Sequence, residues 1–214
     1  MKLRKLFYLP GLIFALMGIT FLLIHITNKY ILTITFYEKS GQPVTGITGE
    51  EVHIYKSIED NIYFFSAAYL MVKMVLITII MNTVLYLSGI IISFKKIFKA
   101  VVCAEFIFFL PATLKIYWFY HFYPQGTLSD WHHFYVLSIL SYFKTAPAAW
   151  TYALQTINVF EIGYWFVLAL GIWKVSKLSY DQCLRLVIIA YVPALIIWVT
   201  VITFCTLLLF PQSG

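Results

Sequence analysis

Residues 184–210 read LRLVIIAYVPALIIWVTVITFCTLLLF, an apolar run in which Arg185 is the one charged residue. An α-helix needs about 20 such residues to cross the roughly 30 Å hydrocarbon core of a bilayer. Four earlier stretches, at about 6–26, 66–92, 100–120 and 151–173, meet the same requirement. None alternates in polarity as the strands of a membrane β-barrel do. The sequence therefore predicts an all-α integral membrane protein with five transmembrane helices, in a single domain over residues 1–214.

The composition of the whole chain agrees with this class. Of the 214 residues, 62% are hydrophobic and 11% are charged, whereas soluble domains contain about 25% charged residues. A soluble domain is therefore excluded, and so is a disordered chain, because disorder requires low hydrophobicity. The three cysteines are odd in number and lie in apolar runs, which excludes a disulfide-rich secreted scaffold.

The basic residues predict the orientation in the membrane, since cytoplasmic loops carry an excess of lysine and arginine. Nine of the fifteen basic residues lie at the N-terminus and in the loops at 93–99 and 174–185, while six acidic residues lie in the loops at 27–61 and 121–150. We expect a cytoplasmic N-terminus, an extracytoplasmic C-terminus and a bacterial inner membrane. A nucleic-acid partner is not expected, because no basic patch lies on a soluble face.

The two loops placed outside, 27–61 and 121–150, carry local patterns of their own. In the first, β-branched residues alternate over 31–37 and polarity alternates again over 51–55, with turn-forming residues between them. This pattern predicts a small extracytoplasmic β-hairpin. In the second, Ser129 and Asp130 can cap a helix from Trp131 to about Phe143. That helix is too short to span, so we expect it to lie in the outer interface.

Three charged residues fall inside the second and third spans. Lys73 lies about 33 Å along a helix from Lys95, and Lys115 lies about 24 Å from Lys99. Both lysines are therefore predicted to extend toward the outer interface. Glu105 lies only about 9 Å from Lys99, so that its carboxyl can reach the interface or a basic partner.

A polar stripe in the fourth span is harder to explain. Thr151, Gln155, Asn158 and Glu161 follow at spacings of four, three and three, which predicts that they share one face of one helix. Such a stripe must face other helices, water or a bound group. We favour polar contacts between helices over a polar cavity or an ion path. In either case Glu161 is the first choice for mutation, because it lies too deep for its carboxyl to reach water.

The remaining patterns are weak. His132 and His133 are adjacent, which is unsuitable for two metal ligands on one helix. No nucleophile, phosphate-loop or metal motif is present in the sequence. We therefore expect no enzymatic activity, no metal and no cofactor. Pro111 and Pro193 lie inside spans and are predicted to kink them.

Two stretches resemble the Yip-domain family of five-span membrane proteins. The resemblance rests on residues 89–111 and, above all, on 165–193, where WFVLALG is followed by Lys177-Leu178-Ser179 and by the span with Pro193. It implies five spans, a cytosolic N-terminus and no enzymatic activity. Eukaryotic members bind small GTPases and each other. The cytoplasmic loops of this chain are too short for such a docking surface, and it lacks the long cytoplasmic N-terminal region of those members.

Together these observations lead to two functional hypotheses. The first is a non-catalytic, Yip-like subunit or scaffold of an inner-membrane complex, with the bilayer and other subunits or a second copy as partners. Small residues such as Gly163, Ala169 and Gly171 would then pack against a partner helix. The alternative is a small transporter or lipid-handling protein that uses a polar cavity around Glu161.

Overall fold

The computed structural model describes residues 8–33, 36, 49–123, 125–143 and 147–209, and every regular element within them is helical. The α-helices in chain order are α1 (Leu9–Tyr30), α2 (Gly49–Leu87), α3 (Phe94–Glu105), α4 (Phe109–Phe122), α5 (Leu128–His133), α6 (Ala148–Thr156), α7 (Val159–Val175) and α8 (Tyr180–Leu209). Two short 3-10 helices cover Phe106–Phe108 and Ile139–Tyr142. The prediction of an all-α protein is confirmed for this part of the chain.

Four helical segments of the described chain are long and apolar enough to cross a membrane. They are Leu9–Tyr30, Asn61–Leu87, Phe94–Phe122 and Tyr180–Leu208. Large apolar side chains on and beside these segments are widely exposed, among them Phe14 (79%), Leu87 (78%) and Ile91 (88%). A bilayer would cover such side chains, whereas water would penalise them. The structure is therefore that of a multi-pass membrane protein.

The prediction of one continuous span over 151–173 is wrong. Helix α6 ends at Thr156 and α7 begins at Val159, and the backbone is extended at Asn158 (φ −141°, ψ 161°). The Asn158 side chain caps α7, because its Oδ1 accepts a hydrogen bond from the Glu161 N–H at 2.8 Å. The polar residues that were expected to follow one helix face are thus divided between two helices.

The predicted β-hairpin is wrong at its second strand. Residues 51–55 lie inside α2, which runs without interruption from Gly49 to Leu87. Extending an existing helix adds one hydrogen bond per residue without a new nucleation cost. Residues 31–33 form a turn after α1, and most of the other predicted strand lies outside the described residues.

The predicted interfacial helix from Trp131 to Phe143 is also wrong. Helix α5 is six residues long and is capped by Thr127, whose N–H and hydroxyl both donate to Asp130 Oδ2 at 2.8 Å. These two hydrogen bonds hold the pKa of Asp130 below its ordinary value. The chain then extends, and Leu137 has a positive φ of 54°. The backbone of 137–139 pairs with the break between α6 and α7, so it is not available to a helix.

The described chain divides into two compact units. Unit 1 takes Met1–Val72 and Phe109–Phe134. Within it α1 packs on α4, where the rings of Tyr30 and Tyr120 lie 6.3 Å apart, and Phe119 of α4 packs edge-on against Trp131 at 4.9 Å. Aromatic contacts therefore hold this unit together. The prediction of a single domain over 1–214 stays a prediction.

Unit 2 takes Lys73–Phe108 and Tyr135–Gly214, and it contains the polar residues of interest. Helices α6, α7 and α8 pack together, and Trp198 Nε1 donates to the Tyr152 hydroxyl at 3.1 Å to link α8 with α6.

The two prolines that were predicted to kink their helices, Pro111 and Pro193, have different surroundings. The 3-10 helix Phe106–Phe108 precedes Pro111, whose missing N–H removes a helical hydrogen bond. By contrast, α8 continues through Pro193.

Candidate functional site

Close packing of α3 against α7 builds the framework of the site. A Cβ added at Gly171 would lie 2.7 Å from Ala100 Cβ, and one added at Gly163 would lie 2.8 Å from Ile107 Cδ1. Because Gly171 faces Ala100 while Gly163 faces Ile107, helix α7 runs antiparallel to α3 and the 3-10 helix that follows it. The glycines permit a short distance between the backbones. Glu105, near the end of α3, is therefore brought level with the first turns of α7.

Glu105 makes an ion pair in the interior of unit 2. Its Oε2 lies 2.9 Å from Lys73 Nζ, and the Glu105 and Lys73 side chains are 1% and 21% exposed. Lys73 Nζ also lies 4.1 Å from the centre of the Phe108 ring, within the range of a cation–π contact. The expectation that Lys73 extends to the outer interface is wrong, because its ammonium group turns inward to this carboxylate. Of the two alternatives for Glu105, the basic partner is the one observed.

Glu161 lies in the first turn of α7 and is also buried. Its Oε1 accepts a short hydrogen bond, 2.6 Å, from the hydroxyl of Tyr191 on α8. Lys73 and Glu105 act electrostatically on the same carboxyl. Glu105 and Glu161, the two acidic residues that the sequence placed inside predicted spans, thus belong to one group.

Tyr164, one turn after Glu161, completes the group and is fully buried. Its ring stacks on Phe108 at 5.2 Å and packs against Tyr191 at the same distance. The hydroxyl lies close to Glu105. Neither that hydroxyl nor Glu105 Oε1 makes a hydrogen bond of standard geometry with any atom in the described part of the chain. We refer to Lys73, Glu105, Glu161, Tyr164 and Tyr191 as the core cluster.

The charges of the core cluster do not balance. With Lys73 protonated and both carboxyls ionised, the cluster carries one net negative charge. An unbalanced charge in a medium of low polarity is costly, and a buried carboxylate is normally neutralised by a partner or by a proton. Neutrality of the cluster would therefore require one further proton or one monovalent cation.

The break between α6 and α7 places Glu161 at a helix N-terminus. Asn158 Nδ2 donates to the carbonyls of Gln155 and Thr156 at 3.1 Å, while its Oδ1 caps α7. The backbone at the break pairs with residues 137 and 139, through hydrogen bonds of 3.2 and 3.1 Å. The backbone of the unwound turn thus finds its hydrogen-bond partners within the chain.

The other predicted site residues make contacts that do not involve the core cluster. Thr151 Oγ1 donates to the Pro147 carbonyl at 3.2 Å, within its own helix. Gln155 makes a side-chain hydrogen bond with Tyr135. Lys115, in unit 1, lies 4.3 Å from the Trp131 ring centre. The stripe of Thr151, Gln155, Asn158 and Glu161 is therefore not one surface.

Sequence reasoning missed the two tyrosines of the core cluster. Tyr164 follows Glu161 by three residues, which is the spacing of neighbours on a helix. Tyr191 is one of sixteen tyrosines in a chain that is 19% aromatic, and no local pattern marks it. The helix break had a signal in Asn158-x-x-Glu161, since Asn is a strong N-cap residue and Glu is preferred three positions later.

No group of three or more His, Cys, Asp or Glu side chains suited to a metal occurs among the described residues. The chain was also compared with known proteins. No family model matches it, and no match was found among curated proteins or solved structures.

Proposed function

We propose that this protein is a small multi-pass membrane transporter in which the core cluster binds and releases a proton. One observation carries the proposal: two buried carboxyls lie in the interior of unit 2, Glu105 paired with Lys73 and Glu161 hydrogen-bonded to Tyr191, and Lys73 is the one cation of the group. Ionisable residues at membrane depth are rare and commonly mark ion or proton pathways. This is the alternative that the sequence left open, and the charge imbalance of the cluster favours it.

The cluster contains the groups that a proton relay needs. A proton arriving at Glu105 would neutralise the carboxylate that holds Lys73 and would free the ammonium group to approach Glu161. Glu161 would then release its own proton more readily, because a cation stabilises the carboxylate. The Tyr191 hydroxyl donates to Glu161 Oε1 at 2.6 Å. To pass the proton on, it would give its own proton to a water molecule and accept the proton of Glu161, since a hydroxyl both donates and accepts.

The interrupted helix supports the same proposal. Transporters commonly place their binding sites at discontinuous membrane helices, where half-helix ends face the bound ion. Here Glu161 occupies the first turn after such a break. The break also satisfies its own backbone through Asn158 and residues 137–139, so it can be maintained without water.

The topology we propose counts α7 as the fifth crossing. Helix α7 has 17 residues, about 25 Å at 1.5 Å per residue, and it runs antiparallel to α3. With this crossing the N-terminus lies in the cytoplasm and the C-terminus outside, in agreement with the positive-inside rule. The bacterial inner membrane remains the proposed location.

The test is proton flux into liposomes that contain the purified protein, driven by a potassium diffusion potential and followed with an internal pH dye. We expect flux above that of protein-free liposomes, and we expect Glu161→Gln to reduce it to the protein-free level. Asp181→Asn is the matched control, because it removes an exposed carboxylate outside the core cluster. Infrared difference spectra between pH 5 and pH 8 should lose a carboxyl signal in the Glu161→Gln protein.

Two results would contradict this proposal. One is a wild-type flux no faster than that of protein-free liposomes. The other is full flux in the Glu161→Gln protein together with an unchanged carboxyl spectrum. Equal amounts of folded protein in each preparation, measured by gel filtration, are needed for either conclusion.

The Yip-like subunit or scaffold remains the second proposal, and it rests on the family resemblance. Its proposed contact residues are engaged within the chain. Gly163 and Gly171 face α3 and its extension, and Ala169 is fully buried. A partner subunit would therefore have to use other surfaces. Crosslinking in membranes followed by purification in mild detergent tests this proposal, and a chain recovered only as an uncrosslinked monomer would count against it.

A further inference from the structure

One end of unit 2 carries a dense set of basic side chains, which we call the basic end. It consists of the exposed residues Lys95, Lys96, Lys99, Lys174, Lys177 and Arg185. They come from three separate segments: the start of α3, the end of α7 with the turn after it, and the start of α8. The positive-inside rule accounts for such charges being on one side of the membrane, but it does not require them to meet.

The packing of unit 2 brings these segments together. Gly171 faces Ala100, so the residues that precede Ala100 on α3 lie beside the C-terminal turn of α7. A four-residue turn, 176–179, joins α7 to α8, and Ser176 Oγ lies 3.4 Å from Cys183 Sγ across it. Lys99 of α3 and Lys174 of α7 both act electrostatically on Cys103. The three groups of cations therefore form one surface.

The basic end has little negative charge of its own. Unit 2 contains three acidic residues, and Asp181 is the one outside the core cluster, since the other two are Glu105 and Glu161. Within the described part of the chain, none of the six basic side chains makes an ion pair. Gathered cations repel one another, so this surface favours an anionic occupant.

Exposed apolar and aromatic side chains border these cations. Ile91 is 88% exposed, and Phe94 and Trp173 are each 44% exposed. Aromatic side chains at the ends of membrane helices prefer the headgroup region, and an exposed isoleucine requires a hydrocarbon neighbour. The occupant should therefore carry a negative headgroup and an acyl chain. Free phosphate satisfies only the cations, whereas an anionic phospholipid satisfies both kinds of side chain.

We propose that the basic end binds the headgroup of an anionic phospholipid. Clusters of four to eight basic residues beside membrane helices are typical of such recognition. The phosphate would be held by lysines from α3 and α7 together, and the acyl chains would cover Ile91 and Phe94. This interaction is independent of proton binding at the core cluster.

The experiment uses the full chain in a mild non-ionic detergent, with phosphatidylglycerol and phosphatidylcholine added in mixed micelles and bound lipid counted by native mass spectrometry. We expect retention of phosphatidylglycerol over phosphatidylcholine, weakened by added salt. Each lysine contributes about fivefold near a membrane surface. The Lys95→Gln/Lys96→Gln/Lys99→Gln variant should therefore bind phosphatidylglycerol about a hundredfold more weakly.

A matched control removes three lysines elsewhere, at Lys29, Lys39 and Lys56, and should leave the retention nearly unchanged. If the α3 variant does not fold, Lys174→Gln/Lys177→Gln replaces it, with an expected loss of about 25-fold. Equal retention of the two lipids would overturn the proposal, as would an equal loss in the control. Displacement of the lipid by millimolar inorganic phosphate would also overturn it, because the cations would then recognise phosphate without help from the acyl chains. Failure to bind either lipid would leave an acidic protein as the occupant and would overturn it as well.

Discussion

Replacing Lys73 with methionine is expected to destabilise the protein by about 3 to 4 kcal/mol at pH 7.5. The change removes the cation that lies 2.9 Å from Glu105 Oε2, while the Glu105 side chain is 1% exposed and cannot turn to water. Removing one member of a buried ion pair costs about 3 to 5 kcal/mol. Protonation of the carboxyl sets an upper limit, since neutralising an ordinary glutamate at pH 7.5 costs about 4 kcal/mol.

The same reasoning predicts a compensating variant. Changing Glu105 to glutamine as well removes the charge that was left unpaired. The double variant should therefore be at least about 2 kcal/mol more stable than the Lys73→Met protein.

Reversible unfolding in mixed micelles with increasing sodium dodecyl sulfate measures these differences. Lys29→Met is the control, because Lys29 is exposed and its Nζ lies 5.4 Å from the centre of the Tyr30 ring. A loss below about 0.5 kcal/mol is expected there. An equally small loss in the Lys73→Met protein, or a double variant no more stable than the single one, would refute the assignment of Lys73 and Glu105 as a buried pair.

Three further changes test the framework around the cluster. Asn158→Ala should cost about 1 to 2 kcal/mol, because the first turn of α7 loses its cap, and hydrogen exchange should speed up in that turn alone. Gly171→Val should cost several kcal/mol or prevent folding, since even a single Cβ would lie 2.7 Å from Ala100 Cβ; a protein of unchanged melting temperature would contradict the close approach of α3 and α7. Thr127→Ala should cost about 1 kcal/mol near neutral pH. That difference should begin to shrink as the pH falls below about 4, because the stabilisation that comes from the lowered pKa of Asp130 is lost as the pH falls through that pKa, and unfolding as a function of pH measures it.

Sequence reasoning identified three of the five residues of the core cluster, but it treated each of them separately. Glu161 was singled out by its distance from both ends of a span, and that inference required only the helical rise per residue. The partner of Glu105 could not be identified in this way. Depth along a helix is a property of one segment, whereas the 2.9 Å contact with Lys73 depends on the rotation and register of two helices that are far apart in sequence.

The prediction of one continuous helix over 151–173 failed for a different reason. Apolar content summed over 151–173 predicted one span, because a window of that length averages over two residues with extended backbone. The capping pattern at Asn158 and Glu161 was present in the sequence, and the structure shows that the cap prevails locally. The hairpin prediction failed for the opposite reason, because it relied on a local pattern. The short alternation over 51–55 was outweighed by propagation of the neighbouring helix.

The sequence by itself determined that this protein needs an apolar environment and that its backbone is helical. Long apolar runs must satisfy their backbone hydrogen bonds internally once they leave water, and helices do so within each segment. The tertiary structure alone decided which charges meet. Gly171 and Gly163 let α3 and α7 approach closely, and that packing brings Glu105 and Lys73 to Tyr164, Glu161 and Tyr191. Hydrophobicity is a local sum along the chain, but an ion pair is a distance between two side chains, and only packing determines that distance.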